Sequence, residues 1–113
     1  RGLGGDVVPA KKPAPDIFVW AMRQMALQPA QCLAFEDSRN GVLSALGAGI
    51  GAIVVTVNEY TRSDDFDGAS LVLDQLGEPG DPCQVLAGDP VLANGMLQIE
   101  GLRRLHAAIG SAA

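Results

Sequence analysis

The sequence predicts an α/β fold, a parallel sheet with helices packed against it, on two observations. Cys32-Leu33-Ala34-Phe35 and Ala52-Ile53-Val54-Val55 are short, wholly apolar runs, as expected of strands covered on both faces. Segments with helical apolar spacing precede and separate them, and the order helix, strand, helix, strand marks βαβ units. With 113 residues the chain is one domain or a piece of a larger one, and an apolar content of 48 % is enough to build a core.

Taken in order, residues 1–12 are irregular and end in Lys11 and Lys12; the chain opens at Arg1 without an initiator Met, which suggests a processed or truncated start. Pro13-Ala14-Pro15-Asp16 begins a helix over 15–27. Proline suits a first turn whose N–H groups have no intrahelical partner, and Asp16 complements the positive helix end. Phe18, Ala21, Met22 and Met25 form its apolar stripe, widened by Ile17 and Trp20, and it should stop before Pro29. The strand at 32–35 is expected to be central. Ser38 can cap a helix over 39–47 that runs through Val42, Leu43, Ala45 and Leu46, with Gly47 and Gly49 as its stop. The strand at 52–55 should lie parallel and adjacent to the first. Residues 59–68 read as a loop, Leu71-Val72-Leu73 as a shorter strand, 77–95 as largely irregular, and 100–109 as a terminal helix.

Composition excludes several classes. A formal charge of −5, from 8 basic and 13 acidic residues, with no Lys or Arg run, argues against nucleic acid and anionic membrane as partners. No window reaches the length of a membrane span, and no signal peptide is visible. Cys32 and Cys83 are far apart and cannot complete a zinc site with the single His106 at any usual spacing. Cys32 is expected to be a buried thiol, and a cytoplasmic location is the default. His106 reads as a partly exposed structural residue, Trp20 as packing, and Met22 and Met25 as core.

The chemistry is expected at the end of the first strand. In open α/β sheets ligands bind beyond the carboxyl ends of the strands. There Glu36 and Asp37 stand directly before a helix N-terminus. Adjacent carboxylates repel unless a cation compensates, and hard oxygen ligands suit Mg²⁺. The plainer reading is that both acids only complement the helix dipole. Lys12, held before a proline turn, can aim a point charge at a phosphate, or it is a solvated surface lysine.

Taken together, Lys12-Pro13-Ala14-Pro15-Asp16, a helix, an apolar strand and Glu36-Asp37-Ser38-Arg39-Asn40-Gly41 resemble the third and fourth motifs of the haloacid dehalogenase-like phosphatases. Gly5-Asp6-Val7-Val8, Asn58-Glu59-Tyr60-Thr61 and Asp65-Phe66-Asp67-Gly68-Ala69 look like the CbbY-type sugar-phosphate phosphatases, a subgroup close to β-phosphoglucomutase. The likeness covers about residues 4–77 well and 78–113 loosely. It implies a Rossmann-like sheet, here the C-terminal half of the family's core domain. Lys12 then resembles the lysine that stabilises the transferring phosphoryl group. Asp37 resembles the direct Mg²⁺ ligand and Glu36 the adjacent ligand or supporting acid; Ser38 and Asn40 would hold these acids by hydrogen bonds, and Gly41 would allow close helix packing.

The family's Asp-x-Asp-Gly-Thr nucleophile motif, its second motif and its helical cap are not found, so no nucleophile is expected in this chain. The resemblance implies a fragment of a Mg²⁺-dependent phosphatase that hydrolyses a small sugar phosphate through an aspartyl-phosphate, inactive alone. Its partners would be that substrate and the missing N-terminal half or another copy of the chain. The competing expectations are a non-catalytic half-domain that binds through an open sheet edge, and a receiver-like signalling domain, which would lack Glu-Asp-Ser-x-x-Gly.

Overall fold

The computed structural model describes residues 10–88 and 95–112. The segment 5–8, which contributed to the family resemblance, lies outside them, as does part of the stretch 77–95. Helix α1 spans Asp16–Met25, and a 3₁₀ turn follows at Pro29–Gln31. Strand β1 is Leu33–Glu36, α2 is Arg39–Gly47 and β2 is Ala52–Thr56. Strand β3 is Leu71–Leu73, β4 is Val85–Gly88 and α3 is Ile99–Ala112. The sheet order is β1-β2-β3-β4. β1 pairs parallel with β2, Leu33 opposite Ala52 and Glu36 opposite Val55. β3 continues the parallel set on β2.

β4 departs from the expected irregular tail: it runs antiparallel to β3, with a register irregularity between Val72 and Leu73. Its sequence hides it. Three of its four residues are exposed, so it lacks the apolar run of a buried strand. Gly88, at φ +93°, lies against the Ser70 carbonyl, where a Cβ would not fit.

α1 begins as the proline turn dictates, with Asp16 Oδ2 accepting from Ala10 N at 2.9 Å. It ends earlier than 27, because Ala26 enters the left-handed region at φ 54°. Ala26 N donates to Arg23 O and Leu27 N to Met22 O, the Schellman pattern that satisfies the last carbonyls. This puts Met25 beyond the buried stripe, 60 % exposed, whereas Met22 is core. On α2, Val42 and Ala45 are buried, whereas Leu43 and Leu46 are exposed.

The strand period of two divides the core between the two sheet faces. On the α1–α2 side Met22, Ala34, Val42, Ala45, Ile53, Val55 and Val72 form one cluster. On the α3 side Val54, Leu71, Leu73, Cys83 and Leu105 form another, with Leu33 packed against it. β1 is the edge of the described sheet rather than a central strand covered on both faces. Ala34 and Glu36 are buried, while Phe35 points away from that face and stays 49 % exposed. Cys32 is half-buried rather than buried, with its thiol 3.5 Å from Gln28 O. His106 Nε2 lies 2.9 Å from Ala30 O and ties α3 to the 3₁₀ turn. Among the described residues no helix is long and apolar enough to cross a membrane.

Ile53 is fully buried between β1 and β3, so Ile53→Ala is expected to destabilise the fold by about 2–5 kcal/mol in urea unfolding. Met25→Ala on the open side of α1 should stay within about 0.5 kcal/mol. A second expectation concerns the two thiols. Burial pushes the Cys83 thiol above its ordinary range, and the nearby negative charge of Asp74 adds to the rise. The folded state therefore holds this proton more tightly than the unfolded chain. The resulting stability is present at neutral pH and is lost as pH climbs through and above the ordinary thiol pKa. In iodoacetamide at neutral pH, mass spectrometry should find Cys32 alkylated first and Cys83 only as the chain unfolds.

Candidate active site

The carboxyl end of β1 lies where α2 begins, and three charged side chains meet there. Glu36 is the last residue of β1 and points to the α2 side, its side chain only 6 % exposed. A carboxylate so placed needs a cation and space. Lys12 supplies the cation: its Nζ donates to Glu36 Oε2 at 2.8 Å across 24 positions of sequence. Gly41 supplies the space, because a Cβ there would overlap the Glu36 carboxylate. The glycine thus makes room for an acid rather than for a neighbouring helix.

The ammonium of Lys12 also sits over the Phe18 ring, 5.2 Å from its centroid, a cation–π contact from the first turn of α1. An exposed ion pair contributes about 0.2–1 kcal/mol. Removing one partner of a buried pair costs about 3–5 kcal/mol. With side-chain exposures of 39 % for Lys12 and 6 % for Glu36, the pair lies between these limits, and Glu36 is the partner that depends on it.

Asp37 is exposed and lines, with Lys12, Phe35, Glu36 and Thr56, a shallow opening of about 320 Å³. Ser38 and Asn40 do not reach the acids by hydrogen bonds. Ser38 Oγ instead accepts from Gly41 N at 3.1 Å and caps α2. Asn40 is exposed on the first turn of that helix. Asp64 adds a cap that the sequence reading missed, Oδ2 accepting from Arg39 N at 3.1 Å from 25 positions away. A side chain in a polar loop carries no local sign of which distant helix it will cap. Thr56 was also missed; it follows Val55, the β2 partner of Glu36, so only the strand register reveals it.

Among the described residues no group of three or more His, Cys, Asp or Glu is arranged to hold a metal. The donor set is a pair of carboxylates, one already bonded to Lys12. Such a sparse oxygen set fits Mg²⁺, which takes one or two carboxylates and fills its remaining positions with water and phosphate; Asp37 is the acid left open to it.

A larger cavity, about 540 Å³, lies elsewhere, between the connection before β3 and strand β4. It is lined in part by Arg62, Asp64, Asp65 and Asp67 and contains none of Lys12, Glu36 or Asp37. Asp65 is committed there, Oδ1 accepting from Asp67 N and Oδ2 from Arg39. Opposite charges converge instead at the carboxyl end of β1, the side of an open α/β sheet on which ligands bind.

A family model described as haloacid dehalogenase-like hydrolase matches residues 1–49. The parallel strands and the acids at the end of β1 accompany this match, and over that stretch the chain is similar to the haloacid dehalogenase-like hydrolases. Its relatives include the CbbY proteins. It is 55 % identical over 72 residues to protein CbbY of Rhodobacter capsulatus, covering 64 % of this chain and 31 % of that protein. It is 36 % identical over 75 residues to a phosphoglycolate phosphatase of Pseudomonas putida, covering 66 % of this chain and 28 % of that enzyme. Among solved structures, an Asp-to-Asn variant of Rhodobacter sphaeroides CbbY in complex with xylulose-(1,5)-bisphosphate superposes with a TM-score of 0.60 at 43 % identity. That match covers 66 % of this chain and 33 % of the other. The chain therefore spans about a third of the length of these relatives.

Gly41→Ala tests how the site is built. The added methyl meets the movable end of Glu36 rather than fixed backbone, so the chain should still fold cooperatively. The Glu36 carboxylate should be displaced and its contact with Lys12 lost, as a crystal structure of the variant would reveal. An unmoved Glu36 would refute the role assigned to Gly41.

Proposed function

We propose that this chain is part of the core domain of a Mg²⁺-dependent phosphatase, to which it contributes the lysine and the acidic metal-binding side of the active site. In this reading the enzyme hydrolyses a small phosphorylated sugar through an aspartyl-phosphate. The nucleophilic aspartate comes from a segment outside these 113 residues, which contain no Asp-x-Asp-Gly-Thr. The observation that carries the reading is the meeting of Lys12, Glu36 and Asp37 at one opening beyond β1. A CbbY relative solved with a sugar bisphosphate supports the substrate class.

A phosphoryl group in flight spreads negative charge over its oxygens, and catalysis consists largely of positioning and charge stabilisation. Lys12 meets that charge with an ammonium held in place by Glu36 and Phe18. Glu36 orients the lysine and adds negative potential for a cation. Asp37 would hold Mg²⁺, which when bound supplies Lewis-acid stabilisation of the phosphoryl oxygens. The N-terminus of α2 contributes its positive dipole end at the same place.

The test joins the chain to a nucleophile-bearing segment and assays sugar-phosphate hydrolysis. The chain alone should show no turnover. In the joined protein, Lys12→Ala should lower kcat by at least about 100-fold. Its melting temperature must be read alongside, because the partner Glu36 is buried. Asp37→Ala should remove activity and its Mg²⁺ dependence together. Mg²⁺-dependent turnover by the purified chain alone, or normal turnover in Lys12→Ala, would overturn the proposal.

A further inference from the structure

Ser44 is fully buried on α2, a position where alanine would favour the helix and where an unbonded hydroxyl would cost about 1–3 kcal/mol. Its Oγ donates to the carbonyl of Ala14 at 2.6 Å, 30 positions earlier. Ala14 lies two residues beyond Lys12, in a turn closed by its own N–H on Lys11 O at 3.0 Å. Ser44 is flanked on the same helix face by Gly41 and Gly47 at spacings of three. Gly41 leaves room for the Glu36 carboxylate, and a Cβ at Gly47 would come 3.3 Å from Pro15. One face of α2 therefore receives the acid at one end and the lysine-bearing turn along the rest. The middle residue of the three is the one that bonds to that turn.

We propose that Ser44 is a positioning residue of the active site: its buried hydroxyl locks the Lys12–Pro15 turn to α2, so that the lysine and the acids are held on one rigid element. The catalytic consequence rests on the function proposed above, in which Lys12 acts on the phosphoryl group. Lysine has a long flexible stem, and its ammonium is fixed only if its backbone is fixed. The Glu36 end is already tied to α2 through the Asp37-Ser38 link and the Ser38 cap. The Ser44 bond ties the other end to the same helix. A purely structural hydroxyl would affect stability alone; a positioning one also moves the lysine.

The experiment reads the lysine directly. Because Lys12 sits over Phe18, its ε-methylene protons are displaced by the ring current, and NMR of the 113-residue chain reports that displacement. Ser44→Ala is expected to reduce it to less than about half its size while the fold remains. Leu105→Ala, on the opposite face of the sheet, should lower stability with the displacement unchanged. If Ser44→Ala does not fold, Ser44→Cys serves, since a thiol is a weak donor too large for a 2.6 Å bond; it should also reduce the displacement. A full displacement in either folded variant overturns the proposal. In the chain joined to its nucleophile-bearing segment, Ser44→Ala should lower kcat roughly tenfold with KM within about twofold, and Leu105→Ala should change neither. Unchanged kcat in Ser44→Ala overturns the catalytic role even if the lysine moves. Absence of turnover in the unsubstituted joined protein refutes the phosphatase reading instead, and the NMR comparison still decides whether Ser44 positions Lys12.

Discussion

A carboxylate buried at the end of a strand is tolerable only with a cation in reach and space to lie in, and much of this chain's local architecture answers that requirement. Lys12 comes back across 24 positions to meet Glu36. The proline turn directs it, Phe18 lies under it, and the helix that follows Glu36 has no side chain at Gly41 to obstruct the acid. Removal of the lysine would leave a negative charge among apolar groups with little water to solvate it. The ion pair is therefore both a structural clamp between the turn before α1 and β1 and the feature that gives the opening its character.

Most of the parallel unit was legible in the sequence because its signals are local. β1, β2 and β3 are apolar runs, and the proline and serine starts of α1 and α2 follow from backbone chemistry within a few residues. The lysine and both acids could be named because they stand at fixed places in recognisable segments. What was not legible depends on distant partners. β4 exists by pairing with β3, not by its own apolarity. The ending of α1 at Ala26 depends on an alanine adopting a conformation it does not favour. Phe35 reads as core from its neighbours, yet its burial depends on what lies beyond the β1 edge.

The same distinction separates residues with expected roles from those that carry the geometry. Ser38 was expected both to cap α2 and to hold the acids, and its hydroxyl does the first. Ser44, unremarked among the apolar residues of that helix, holds the lysine-bearing turn. A polar residue at a helix start announces itself by position; one in the middle of a buried face becomes meaningful only when its acceptor is known. The acidic connection before β3 shows the reverse. It is rich in carboxylates and lines the larger cavity, yet Asp64 and Asp65 are bonded to Arg39 at the start of α2.

Among the described residues, the order of the strands across the sheet is also their order along the chain. Each strand after the first pairs with the one synthesised just before it, so assembly can proceed in the direction of translation, with loop closures confined to single connections. Leu33 pairs with Ala52 and Val54 with Leu71, so each parallel pairing still has to close a connection longer than a hairpin's before it is rewarded. On a ribosome, β1 and β2 can join as soon as α2 has emerged between them. By then Lys12 and Glu36 have both been made, and the bond between them can close together with the first strand pair.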